Sequence, residues 1–402
     1  MRILVHPHTL EIGGSQINAI ELAESVAKIP GYDTIVVAED GVLADDIRGR
    51  GLELILAPPR RTTPSPARIG LLNRIVDARE IDLVHPYEWD TTLDVMFGPG
   101  LVRGVPVVST VLSMDVPYFI PRSVPMIVGT RELQTEQSRW RPDVHLMEPP
   151  VDTHRNAPGV TGRATETRRR WNIAPDELLV VVVGRLAARL KLEGVLAAIE
   201  AVGRIAVDCR IHLLVVGDGS SRSAIEHAAA FVNATAEREV VTLAGEQLDP
   251  RDFYDAADIA IGMGGSALRS LSFAKPLLVQ GEAGFWRTLT PQTLPTFLEQ
   301  GWYGIGDGTR GVDRCETELR SLAGMSVERR AELGRLGRQL VETSFSLDAA
   351  GRSLASIYDL VAARRVAPWN RLAGGVSGGA VLAKHHLAMT GHRVRAIRKV
   401  RS

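Results

Sequence analysis

Leu178-Leu179-Val180-Val181-Val182-Val183-Gly184-Arg185-Leu186 is a run of six apolar residues closed by a glycine and a cation. A strand with one wet face alternates apolar and polar side chains. An unbroken run of this length belongs instead to a strand buried on both faces, as in a parallel sheet covered by helices. Downstream, Leu192, Val195, Ile199 and Val202 recur at helical spacing. Strand, glycine loop and helix therefore form the repeating unit. Further apolar runs at 211–216, 240–243, 259–261 and 277–279 predict four more strands, and with them a doubly wound α/β domain.

Upstream, shorter runs at 2–5, 34–37, 52–57, 83–85, 107–110 and 126–128 read as six strands with helix-like sequence between most of them. The first leads into Gly13-Gly14-Ser15-Gln16, after which Ile17, Ile20, Ala23 and Ala27 recur at helical spacing. The turn-rich stretch from His154 to Val160 reads as a linker. The expected organisation is one doubly wound domain over 1–160 and a second over 161–345. A helix over 346–365 follows, crossing back to the first domain, and then a Gly-rich and basic tail over 366–402. A cleft between the domains is expected.

Composition agrees with this. The chain has 402 residues, 45% apolar and 23% charged, which excludes disorder and suits two domains with cores of their own. No stretch approaches the roughly 18 apolar residues of a membrane span, and the opening run is too short for a secretory signal, so the expected compartment is the cytoplasm. Cys209 and Cys315 are too few and too far apart for a disulfide framework or a zinc spacing. Lys plus Arg equals Asp plus Glu at 47 each, which gives no general nucleic-acid footprint. The balance hides an asymmetry: nine bases and no acid follow Asp359, leaving 38 bases against 47 acids up to and including it. Such a tail is either solvated or held against something acidic, including the inner face of an anionic membrane.

In open α/β sheets ligands bind beyond the carboxyl ends of the strands, so the loops there carry the chemistry. Gly13-Gly14 opens a helix whose N-terminus suits phosphate, although a tight turn would need glycine equally. Gly184-Arg185-Leu186 with Lys191 offers two cations able to hold a diphosphate and stabilise it as a leaving group. Gly262-Met263-Gly264-Gly265-Ser266-Ala267-Leu268-Arg269 permits close backbone approach at another helix start. Its glycines, with Glu282 about 20 residues on, imitate a dinucleotide fingerprint. That fingerprint normally follows the first strand of its domain and this one follows the fourth, so a nicotinamide-dependent oxidoreductase is the weakest reading.

The second domain resembles glycosyltransferase family 4, a retaining group with the GT-B fold. The resemblance lies in an ordered series: Val183-Gly184-Arg185-Leu186 with Lys191 and Gly194, Val216-Gly217-Asp218-Gly219, Ala256-Ala257-Asp258, then Gly262 and Gly264 before Ala274-Lys275-Pro276. In the first domain Gly13-Gly14 is similar to the family's glycine pair, and Pro150-Val151-Asp152 to its boundary motif. The resemblance implies two Rossmann-like domains facing each other across a cleft, the first taking the acceptor and the second the nucleotide sugar. Arg185 and Lys191 would act on the diphosphate. Gly13, Gly14, Gly184, Gly264, Ser266, Ala267 and Leu268 would complete the donor site. Transfer to a hydroxyl of a sugar, a lipid-linked sugar or a secondary metabolite would retain configuration, with UDP or GDP as the nucleotide and neither cofactor nor metal.

Three positions depart from that pattern. Ile261 and Arg269 stand where the family has a glutamate pair, and Leu112 where a histidine is common. The donor is then expected to be gripped through Glu246, Glu282 or Arg269, or catalysis has been lost and the protein is a nucleotide-sugar-binding partner. Glu88 and Asp115, with Trp89 and Asp90, follow first-domain strands and are candidates for acceptor hydroxyls, helix capping being the alternative for each. His6 and His8 could share a metal but lack a carboxylate cluster, so a loop role is expected. Gly284-Phe285-Trp286 and Trp302-Tyr303 could line the cleft or fill the core.

Overall fold

The computed structural model describes residues 1–113 and 115–364, so the Gly-rich run and the basic tail lie outside the described residues. The chain divides into two compact units, Met1–Met147 joined by the segment from Ala350, and Glu148–Ala349.

In the first unit β1 (Arg2–His6), β2 (Asp33–Glu39), β3 (Glu53–Ala57) and β4 (Leu83–Pro86) form a parallel sheet in the order β3-β2-β1-β4. A short parallel sheet of β5 (Ser109–Val111), β6 (Met126–Val128) and β7 (Val144–Leu146) continues it, through single bridges Val84 to Val107 and Tyr87 to Thr110. Ile3, Leu4, Val36 and Val84 are fully buried, as strands covered on both faces require. The sequence reading finds all of these strands except β7, whose three residues include His145.

In the second unit β8 (Leu178–Val183), β9 (Ile211–Val216), β10 (Val241–Gly245), β11 (Ile259–Gly262), β12 (Leu277–Gln280) and β13 (Trp286–Thr288) lie in the order β10-β9-β8-β11-β12-β13. All pairs are parallel except β12 with β13. β13 escapes sequence reading because Arg287 faces solvent between buried Trp286 and Thr288 in a strand of only three residues. The stretch read as a linker belongs to this unit. Gly159 N–H donates to Asp255 at 2.9 Å, and the Arg338 guanidinium binds the carbonyls of Asn156 at 2.7 Å and Thr153 at 2.9 Å. The division therefore falls after Met147, earlier than the 160 expected. Pro150-Val151-Asp152 meets the later chain directly: Val151 N–H donates to Phe345 O at 2.8 Å and Leu347 N–H to Val151 O at 2.9 Å.

The helix Leu347–Ala363 begins in the second unit and is counted with the first from Ala350 onward. Gly351 is required there, since a Cβ would stand 2.2 Å from Ser25 Oγ. Tyr358, 1% exposed, bonds its hydroxyl to His85 Nδ1 at 2.7 Å, while His85 Nε2 meets Thr110 Oγ1 at 2.7 Å.

His6 and His85 are both fully buried, and burial pushes both pKa values down to about 3. They stay neutral in the fold, whereas the unfolded chain protonates them below about pH 6.5. With the folded pKa below the unfolded one, stability is complete above pH 6.5 and falls as the pH drops from there toward 3. The slope is about 1.4 kcal/mol per pH unit for each group. Urea denaturation at pH 7 and pH 5 is expected to show this loss, and His85→Gln to remove one histidine's share of it. Equal stability at the two pH values would contradict the assignment.

Candidate active site

Strand order in the second unit reverses between β8 and β11, so its crevice lies at their carboxyl ends. The loop after β8 is held by main chain. Gly184 N–H donates to Val216 O at 3.0 Å, Leu186 N–H to Asp218 O at 2.8 Å, and Ser221 N–H to Leu186 O at 2.9 Å. Gly217 has φ +139°, and a Cβ on it would stand 2.0 Å from Gly184 O. Glycine is required at this position to seat the loop that carries Arg185.

Lys191 immediately precedes the helix Leu192–Ile205 and folds back over that loop, its Nζ 3.8 Å from where a Cβ on Gly184 would lie. It is half-buried, and burial lowers its pKa to about 8. Arg185 is exposed. Among the described residues neither side chain has an acidic partner. Glu193, two residues after Lys191, accepts from Gly284 N–H at 2.7 Å and Ala283 N–H at 3.2 Å, tying the start of this helix to the loop after β12. Gly194 permits the same approach, since a Cβ there would meet Gln280 Oε1 at 2.4 Å.

After β11, Gly262 packs against Ala267, whose N and Cα would lie 2.9 Å from a Cβ, and Gly264 has φ +54°. Gly264 N–H donates to Trp302 O at 2.9 Å. The helix Gly265–Ser272 starts here. Ala267 and Leu268 are buried and donate their N–H groups to Gly264 O at 3.1 and 3.3 Å, while the Ser266 hydroxyl donates to Met263 O at 3.0 Å. The first turn thus leaves the N–H groups of Gly265 and Ser266 pointing out of the helix start without an intrahelical acceptor. Arg269 is half-buried, with Nη1 3.8 Å from where a Cβ on Gly265 would lie, so its guanidinium adds charge to an already positive terminus. Ile261 is 1% exposed and part of the core.

Glu282 follows β12. Its Oε2 accepts the Tyr303 hydroxyl at 2.5 Å, and its main chain is clamped by Gly304 O at 3.0 Å and Gly306 N–H at 2.9 Å. Burial and the neighbouring Glu282 and Glu193 charges push the Tyr303 pKa up. Of the aromatics flagged in sequence, Trp302 and Trp286 are core, while Tyr303 carries this contact. Glu246 is exposed after β10 and takes part in none of these bonds.

In the first unit the order reverses between β1 and β4. Gly13 precedes the helix Gly14–Ala27 in extended conformation with φ −165°, which any residue adopts. Gly14 is exposed, and no atom lies within 4 Å of where its Cβ would be. Neither packing nor turn geometry demands glycine there. Glu88 is 8% exposed with φ +71° and ψ 168°, a conformation that strains any residue with a Cβ. Its carboxylate accepts from Leu112 N–H at 3.2 Å and the Ser113 hydroxyl at 2.6 Å, which makes it a brace for the loop after β5. Asp115 is exposed. His6 donates Nδ1–H to Val37 O at 2.6 Å and His8 Nε2 pairs with the Gln16 amide at 3.0 Å, so the two bond separately. Among the described residues no group of three or more His, Cys, Asp or Glu could hold a metal ion, and no helix is long and apolar enough to cross a membrane.

Residues 177–281 match the family described as Glycosyl transferases group 1. No curated protein matches the chain in sequence. Among solved structures, a glycosyltransferase from Rickettsia africae is similar at TM-score 0.70 and 15% identity, over 90% of this chain and 99% of that one. Anabaena Alr3699/HepE, solved in complex with UDP and glucose, is similar at TM-score 0.67 and 13% identity, over 90% and 100%. WaaG, a glycosyltransferase involved in lipopolysaccharide biosynthesis, is similar at TM-score 0.61 and 13% identity, over the same shares. The chain has the GT-B fold of two Rossmann-like domains, and the family match with these fold neighbours supports a glycosyltransferase.

The two glycines at these loop ends differ in a way that melting can read. Gly14→Ala is expected to leave stability unchanged or raise it by up to about 1 kcal/mol, since alanine suits a helix and meets nothing. Gly217→Ala should destabilise by more than about 2 kcal/mol through its positive φ and its collision with Gly184 O. Equal melting temperatures for the two variants would refute the main-chain contact.

Proposed function

We propose that this chain is a retaining glycosyltransferase that moves a sugar from a nucleoside diphosphate sugar to a hydroxyl acceptor without cofactor or metal. The observation that carries the reading is a set of donors at the carboxyl ends of adjacent strands: Arg185 and Lys191, cations without acidic partners among the described residues, and the free N–H groups of Gly265 and Ser266. Half-buried positive charge is costly unless an anion meets it, and a diphosphate supplies two. These groups strengthen their hold as the sugar leaves and negative charge grows on the diphosphate, which is the electrostatic work the reaction needs. UDP is favoured over GDP by the UDP-bound fold neighbour. Retention rests on the family resemblance. The acceptor is assigned to the first unit, with Asp115 and the surroundings of Glu88 as its contacts. Membrane attachment through the tail remains part of the proposal.

One observation favours a second reading. Ile261, in the place of a family glutamate, is sealed in the core. A protein that binds nucleotide sugars without transferring them fits this residue better, and turnover measured beside binding separates the two.

Titration with UDP, GDP, ADP and NAD tests the class: binding of NAD alone would overturn it. Lys191→Ala and Arg185→Ala are each expected to remove about 2–4 kcal/mol of transition-state stabilisation. Lys191 also sets a pH dependence. Its ammonium is protonated at pH 7 and loses its proton as the pH rises through about 8. A bound diphosphate favours the protonated form, so affinity for a nucleotide sugar should be level below pH 8 and fall by up to about tenfold per pH unit above it. Lys191→Arg should flatten that fall. An unaltered profile in the Arg variant would remove Lys191 from the site.

A further inference from the structure

We infer that Glu282, anchored by Tyr303, is the carboxylate that receives the hydroxyls of the transferred sugar and so sets donor-sugar specificity. The inference rests on the reading of the second unit as a nucleotide-sugar site and adds the residue that recognises the sugar.

Three features of the structure point to it. The first is direction. In doubly wound nucleotide-binding units the ribose lies toward the strand that follows the first helix, which here is β9. A diphosphate held at the ends of β8 and β11 with its nucleoside toward β9 sends its sugar the other way, toward β12. Glu282 is the acid at the end of β12. The second feature is rigidity. The Glu282 main chain is bonded on both sides, to Gly304 O and from Gly306 N–H, and Oε2 accepts the hydroxyl of Tyr303, itself 7% exposed. The carboxylate cannot swing away, and Oε1 has no hydrogen-bond donor among the described residues. An ionised carboxylate is an acceptor only, so a fixed and incompletely bonded one is matched by groups that donate, as sugar hydroxyls do. The third is proximity to the diphosphate loops. Glu193, beside Lys191, bonds the two residues that follow Glu282, and Gly264 is bonded to Trp302, which precedes Tyr303. The sugar-side acid is thus built into the same framework as both phosphate loops.

The charges acting on Tyr303 are mixed, Glu282 and Glu193 against Arg189, whereas Arg185 and Lys191 have no acidic partner among the described residues, which keeps the diphosphate on their side. The alternative occupant of Oε1 is the ribose, and the experiment distinguishes the two. Calorimetric titration of wild type, Glu282→Gln and Tyr303→Phe uses UDP against UDP-glucose and GDP against GDP-mannose. Gln keeps the volume and removes the charge, and Phe removes the anchor while leaving the carboxylate. For the pair that wild type binds, Glu282→Gln is expected to weaken the nucleotide sugar at least tenfold and the free nucleoside diphosphate less than twofold. Tyr303→Phe should shift the same difference in the same direction by a smaller factor. Equal weakening of nucleotide and nucleotide sugar would assign the carboxylate to the ribose and overturn the inference, as would no change in either. Should wild type bind none of the four probes, the site reading falls and the inference with it. Binding that depends on Arg185 and Lys191 but not on Glu282 discards the inference alone.

Discussion

The approach of Gly217 to the carbonyl of Gly184 is the contact on which the candidate site depends. It is main chain against main chain, possible only where no Cβ intervenes. Through it the ends of β8 and β9 close on each other, and the Gly184 to Leu186 loop takes a single course fixed by bonds to Val216, Asp218 and Ser221. A loop so fixed can present Arg185 and Lys191 at constant positions without spending side chains on its own support. That is the preorganisation an electrostatic site requires, since charges that must reorganise on binding lose much of their effect.

Much of the fold was legible because its strands are buried on both faces and announce themselves as continuous apolar runs. β7 and β13 were not, being three residues long with a polar residue among them. The glycine motifs were legible as loops at strand ends, but their division of labour was not. Gly217 and Gly262 serve packing, whereas Gly14 faces open space. Spacing cannot tell these apart, because the atoms a Cβ would meet come from other segments. The same limit applied to Lys275 of the Ala274-Lys275-Pro276 motif, whose ammonium donates to Asp255 O at 2.8 Å and so supports the fold. Tyr303 stood out in sequence only as an aromatic beside Trp302. Its bond to Glu282 depends on the crossing of two loops, and Glu193 gave no signal at all.

In the first unit Glu88 shows how a residue can be read correctly as exceptional and for a different reason than expected. An acid at the end of β4 suggests contact with a ligand. In the structure both oxygens are used within the unit, and the strained backbone, of order 1–3 kcal/mol for such a conformation, is offset by bonds to Leu112 and Ser113. Strain of this kind persists only where the surroundings over-determine it. What Glu88 determines is the course of the loop after β5, which carries Leu112 and Asp115 at the carboxyl edge of the sheet.

The distribution of charge in the second unit gives the departures from the family pattern a common account. Arg185, Lys191, Arg269 and the start of the helix Gly265–Ser272 make one part of the carboxyl edge positive, while Glu193 and Glu282 bring carboxylates to the neighbouring part, with Arg189 near them. Arg269 belongs to the last turn of that helix, and its guanidinium reaches back to 3.8 Å from where a Cβ on Gly265 would lie. On the proposed reading two negative phosphates lie against this positive part. Glu282 could not share the place where they bind, because its charge would repel them, but one loop away it can take hydroxyls. With Ile261 in the core, a carboxylate is absent from the end of β11, and β12 supplies one from the adjacent loop. On the proposed reading, phosphate on one part of the edge and hydroxyls on the other orient a nucleotide sugar by charge, before any contact specific to base or acceptor is made.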